Sequence, residues 1–186
     1  MMVKCDKSPV APASLAVEKA KGASGSYRGA DVVEQLKTDF HDKCYICELK
    51  GLQDPQIEHL RPHKGNIDLK FDWNNLFWSC SHCNNVKNQR KYDGKIINCC
   101  QEDPEKHISC QYARNNVEIT ALDDEITSQM TAELINETFN LQNDKTLMNK
   151  RRVIVRLKRS ATFAAFKRSY IRNNEEYAEL QEYVQL

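Results

Sequence analysis

A glutamate and a histidine stand side by side at Glu58 and His59, in the run QIEHLRP that covers residues 56–62. On one side lies CYIC at Cys44–Cys47, and on the other CSHC at Cys80–Cys83, with Asn84 directly after the last cysteine. A two-residue spacer lets both thiolates of a pair turn toward one tetrahedral ion, so two matched pairs predict zinc. Four thiolates leave no open position, and the expected ion is structural. Glu58 and His59 alone would read as an exposed strand pair. Framed by the cysteines they offer the parts of a phosphodiester hydrolase, which needs a base for water and a hard cation for the phosphate. Imidazole, with an ordinary pKa of about 6.5, suits the first task. Carboxylate and amide oxygens suit Mg²⁺, which keeps several waters and takes few protein ligands.

These groups need elements that bring them together. Asp31 is a candidate cap for a helix whose apolar positions Val32, Val33, Leu36 and Phe40 share one face and deliver the chain to Cys44. Residues 56–60 read as a short strand, followed by a turn-rich loop with Pro62, Gly65 and Asn66. A second strand is expected near Leu76–Trp78, and a helix from about Ser81 to Lys91. Past Asp93-Gly94, HISCQY and VEITAL alternate around Asn115-Asn116 and predict a hairpin. From Ile126 onward there is neither Pro nor Gly. Ile126, Met130 and Leu134 predict one helix, and Leu147, Ile154, Leu157, Ala161, Ala164 and Ile171 a longer one.

Residues 7–30 are rich in Ala, Ser, Gly, Pro and Lys with little periodicity, and read as a mobile arm. The expected organisation is an arm over 1–30, a core with the zinc site over 31–98, a connecting hairpin over 99–122 and a helical region over 123–186. No run approaches the length of a membrane span. The N-terminus lacks the order of a secretory signal. A reducing cytoplasm is therefore expected, where paired cysteines favour metal over disulfide. Cys5, Cys99, Cys100 and Cys110 lack such pairing and read as packing or exposed thiols.

Net charge is +1, yet the segment from Lys145 to Arg172 holds ten Lys or Arg and no acid. That stripe meets either phosphates or an acidic surface.

The quoted motifs, together with Asn74-Asn75-Leu76 and the run SCSHCNNVK, resemble the HNH endonuclease family. The resemblance implies an α+β fold with a zinc-stabilised ββα-metal core, to which the hairpin and the C-terminal helical section are added. It implies that His59 is the general base, that Glu58 and Asn84 hold a catalytic Mg²⁺ or Mn²⁺, and that Asn75 orders the loop that aims the base. Asn74 could take the place of Asn75. Arg61, Lys87, Arg90 and Lys91 are candidate phosphate contacts, with surface charge as the competing account. The runs INCCQEDPEKHI and FNLQND extend the resemblance to the HNH branch encoded beside ATPases in anti-phage operons, including Septu-type and retron-associated ones. A partner ATPase and a nucleic-acid substrate are implied, DNA being favoured over RNA. A zinc-ribbon-like module that binds without cutting is the alternative from another class.

Overall fold

The computed structural model describes residues 2–113 and 116–140. The elements are α1 (Ala13–Lys19), α2 (Ala30–Asp39), β1 (Pro55–His59), α3 (Ile67–Lys70), β2 (Leu76–Cys80), α4 (Ser81–Lys87), β3 (Ile108–Ala113), β4 (Asn116–Ala121) and α5 (Ile126–Asn140), a mixed α+β arrangement. The long basic helix expected over 145–172 lies outside the described residues.

Strands β1 and β2 pair antiparallel, with Glu58 opposite Phe77 and His59 opposite Leu76. Every residue of β2 is buried, because α2 covers the pair and α4 follows directly from its end. Val32 and Leu36 of α2 and Phe40 directly after it recur every four residues and are all buried, which is the helical period the sequence shows. Phe77 meets the rings of Phe40 and Tyr45 at centroid distances of 5.6 and 4.9 Å. This aromatic cluster joins α2, the first cysteine loop and β2. The hairpin falls where expected, with β3 and β4 pairing from Ile108 opposite Ala121 to Ala113 opposite Asn116.

Three expectations need correction. The N-terminal segment is packed rather than a free arm: Met2, Val3 and Leu15 are buried. Polar ties hold it there, with the Ser8 N–H donating to Asp39 (2.9 Å) and the Trp73 indole donating to the Ser8 carbonyl (2.8 Å). Asp31 is not the cap of α2, which is Gly29; its carboxylate instead accepts from the N–H and hydroxyl of Ser14 (3.0 and 2.5 Å) and so docks α1. Helix α4 stops at Lys87, and a separate 3-10 turn over Arg90–Tyr92 follows. The turn is held by Tyr92, which is fully buried, and by Lys91, which bonds Glu133 of α5 at 2.7 Å and also Glu137. The helix expected from Ile126 is α5. Leu134 is buried and Met130 packs against the core, while Ile126 at its start is 51% exposed, and Ser128, Thr131, Ile135, Thr138 and Phe139 are buried as well.

Candidate active site and metal centre

The two cysteine pairs converge. Their four sulfurs lie within 4.8 Å of one another and all four residues are buried. The first pair sits in a tight turn closed by the Glu48 N–H to the Cys44 carbonyl (2.8 Å) and the Cys44 N–H to the Leu49 carbonyl (3.0 Å). The second opens α4, where the Cys80 sulfur accepts from the Cys83 N–H at 3.4 Å. The turns are held in place by the Tyr45 N–H, which donates to the Trp78 carbonyl at 3.0 Å. As bare thiols the set is electrostatically divided: hydrogen bonds from its neighbours pull Cys44 down against the opposing effect of burial, and Cys47 and Cys83 are pushed up. A dication relieves that conflict by taking all four as thiolates, which is the donor set zinc prefers. The site fits zinc.

Adjacent residues of a strand point to opposite faces, and Glu58 and His59 accordingly enter different surroundings. Glu58 is 5% exposed. One of its oxygens accepts from the Tyr45 hydroxyl. The other meets the Lys87 ammonium at 3.3 Å. Burial pushes the carboxyl above its ordinary value, while Lys87 and Tyr45 pull it back. Lys87 also donates to the His59 carbonyl at 3.0 Å. It is therefore buried and occupied within the protein rather than displayed. Asn84 lies one turn earlier on α4, half-buried, on the helix side that carries Lys87 to Glu58.

His59 is held by its ring. Nε2 lies 3.0 Å from the Lys70 carbonyl. A carbonyl can only accept, so Nε2 carries the proton and the lone pair resides on Nδ1. Burial lowers the proton affinity of the ring, which keeps it neutral. Tyr27 meets it edge-on at 4.7 Å, and His63 lies 4.8 Å away.

Asn75 is buried, and its amide bridges the loop after β1. Its oxygen accepts from the Arg61 N–H at 2.8 Å, and its nitrogen donates to the carbonyls of Arg61 (2.9 Å) and Leu69 (3.0 Å). Asn74 is exposed. Arg61 and Arg90 are exposed, and Lys91 is engaged with α5. Tyr45, Lys70 and Tyr27 were not singled out by sequence reasoning. Only Tyr45 carried a signal, since an aromatic between two ligand cysteines must point somewhere close to the ion's surroundings.

A sequence comparison places part of the chain beside a known protein. The Septu protein PtuB of Bacillus mycoides (strain KBAB4) is 30% identical over 116 residues, covering 45% of this chain and 39% of that protein. The chain spans about two-fifths of the length of the curated relative it matches. No family model matches the chain, and no solved structure does. Among the described residues no helix is long and apolar enough to cross a membrane.

Proposed function

We propose that the chain is a metal-dependent nuclease of the HNH type, acting on DNA in preference to RNA, within a Septu-related anti-phage system and alongside an ATPase. One observation carries the reading. His59 is fixed by the Lys70 carbonyl in the tautomer whose Nδ1 is free to take a proton, on a strand pinned by a four-cysteine site. In this reading Nδ1 of His59 accepts the proton of the attacking water. Asn75 acts at one remove, by holding the Arg61 and Leu69 backbone and so the adjoining Lys70 carbonyl.

Glu58 and Asn84 would hold a Mg²⁺ or Mn²⁺ ion, their oxygens being the donors such ions take. That ion would supply positive charge to the phosphate and to the departing oxygen. In the described arrangement the charge on Glu58 is balanced by Lys87. Lys87 must be displaced from the carboxylate if a cation is to be seated there.

The closed state of Glu58 is also what favours a second reading, a zinc-stabilised module that binds nucleic acid or protein without cutting. The test is an assay of the purified protein on plasmid DNA and on structured RNA with Mg²⁺ or Mn²⁺, alone and with a co-purified ATPase. Cleavage that disappears in His59→Ala supports the nuclease. Binding without cleavage under all of these conditions, equal in both proteins, would leave the binding module.

A further inference from the structure

The cysteines outside the zinc site are not scattered. The Cys5 N–H donates to the Cys99 carbonyl at 3.0 Å, which draws the N-terminal segment alongside the Cys99-Cys100 turn. Cys99 is buried and directly precedes Cys100 in the chain, and the Cys5 thiol donates to the Val3 carbonyl at 3.6 Å. Cys100 is half-buried and opens onto a cleft of about 180 Å³ that Lys7, Asn74 and Asn98 also line. This trio is no second metal centre, because among the described residues only the four-cysteine set brings its ligand atoms together around one point. It does have the layout of a thiol relay: one cysteine at a cleft that a lysine also lines, a buried cysteine next to it in the chain, and a third whose backbone bonds to the second from another segment.

We propose that Cys100, Cys99 and Cys5 form a peroxide-reactive site whose stable oxidised product is a Cys5–Cys99 disulfide. The Cys100 thiolate attacks one oxygen of hydrogen peroxide, breaking the O–O bond and leaving Cys100 as a sulfenic acid and the other oxygen as hydroxide, which is protonated to water. The Cys99 sulfur then displaces the sulfenic oxygen as a second water, giving a Cys99–Cys100 disulfide. Attack by Cys5 on the Cys99 sulfur forms the Cys5–Cys99 bond and returns Cys100 as a thiol. One peroxide is reduced to two waters by two electrons, drawn in the end from Cys5 and Cys99. Hydrogen bonding with Cys99 holds the Cys100 thiol below its ordinary value, and Lys7 adds to this. The same contacts push Cys99 up, so the entry point and the resolving thiol are already distinguished.

The product would staple residues 2–8 to the segment before β3. This is the stretch whose Lys7 and Ser8 grip Trp73 and Leu76 on either side of Asn75.

The test is limited treatment of the zinc-loaded full chain with hydrogen peroxide, followed by alkylation, digestion and mass spectrometry, with released zinc followed in parallel. The expected result is a Cys5–Cys99 linked peptide, cleaved by dithiothreitol and formed before zinc is lost. Cys100→Ser should slow its formation at least tenfold. Cys5→Ser should instead trap the Cys99–Cys100 bond. Zinc release with no Cys5–Cys99 peptide would overturn the proposal, as would a bridge that forms at the same rate in Cys100→Ser.

Discussion

The imidazole Nε2 of His59 lies 3.0 Å from the backbone carbonyl of Lys70, eleven residues further along the chain. That single contact sets the tautomer, and it depends on a second one. The carbonyl before it, that of Leu69, accepts from the Asn75 amide at 3.0 Å, and the same amide grips Arg61 through both its N–H and its carbonyl. Asn66 adds a cap by accepting from the Leu69 N–H at 3.0 Å, starting α3. The loop between β1 and α3 is thus anchored at both ends by one side chain from the residue just before β2. In the proposed nuclease, aim and base would be separate functions, and mutation can separate them.

His59→Ala should lower cleavage by about 10²–10⁴-fold, the usual contribution of a positioned general base. Fold, zinc content and nucleic-acid affinity should be kept. Asn75→Ala should behave differently. It removes the hydrogen bonds of the buried amide to the Arg61 and Leu69 backbone, each worth about 0.5–1.5 kcal/mol, and lets the Lys70 carbonyl drift. The measurement is urea unfolding beside turnover: a loss of rate with no loss of stability in Asn75→Ala would contradict the positioning role.

Much of this was legible in the sequence, for identifiable reasons. The cysteine spacing is a property of local chain geometry, so the four ligands could be named without a fold. Helix α2 was legible because Val32, Leu36 and Phe40 are apolar at the right interval. Helix α5 was legible because Ile126, Met130 and Leu134 are apolar at helical spacing; its further buried positions were not, because three of them are the hydroxyl residues Ser128, Thr131 and Thr138. Thr138 bonds back to the Leu134 carbonyl (2.9 Å), and Thr131 accepts from the Ile97 N–H (2.9 Å), so these two hydroxyls are buried at small cost. The N-terminal segment was misjudged because its order comes from long-range ties to Asp39 and Trp73, which leave no periodic trace. Lys87 could be read from sequence only as a positive charge. That it turns inward to Glu58 is decided by the packing of α4 on β1.

Zinc should be inseparable from folding. Cys83→Ser removes one of four buried ligands at the start of α4, whose first turn depends on the Cys80–Cys83 contact. Metal analysis of purified protein should show zinc lost from this variant, together with loss of the cooperative thermal transition. A Cys83→Ser protein that keeps full zinc and the same transition would refute the four-cysteine assignment. Strong chelation of the wild-type protein should reproduce the variant's behaviour.

Lys87 and a divalent ion should compete for Glu58. The ammonium stands 3.3 Å from the carboxylate, with both side chains 4% exposed. Breaking a buried pair from one side typically costs about 3–5 kcal/mol, because the remaining charge is left uncompensated. Lys87→Gln should therefore be less stable in metal-free buffer and should regain stability on adding Mn²⁺. Its affinity for Mn²⁺, read by electron paramagnetic resonance without substrate, should exceed that of wild type. Weaker Mn²⁺ binding in a folded Lys87→Gln protein would mean that Lys87 supports the ion site rather than occupying it.

Lys7 carries the pH dependence that the fold makes most visible. Its ammonium donates to the carbonyls of Trp73 and Leu76 and lies 3.9 Å from the centre of the Trp73 ring. Burial lowers its pKa from 10.5 to about 8, against the smaller opposing pull of Cys100, Asp39 and Asp72. Below about pH 8 folded and unfolded chains both hold the proton, and the cost of burying the charge is fully present. Between about pH 8 and 10.5 the unfolded chain holds more protons than the folded one, so the free energy of unfolding contributed by this group rises with pH. Lys7→Met has no such group. The stability of wild type relative to Lys7→Met, from urea midpoints at pH 7.5 and 9.5, should therefore shift in favour of wild type at the higher pH. Both proteins are compared in a Cys100→Ser background, because Lys7 lowers the Cys100 thiol; the difference then cancels the other groups that titrate over the same range. A difference that stays flat, or moves the other way, would mean that Lys7 keeps its charge at no cost, and that the contacts with Trp73 and Leu76 fully replace the water it gives up.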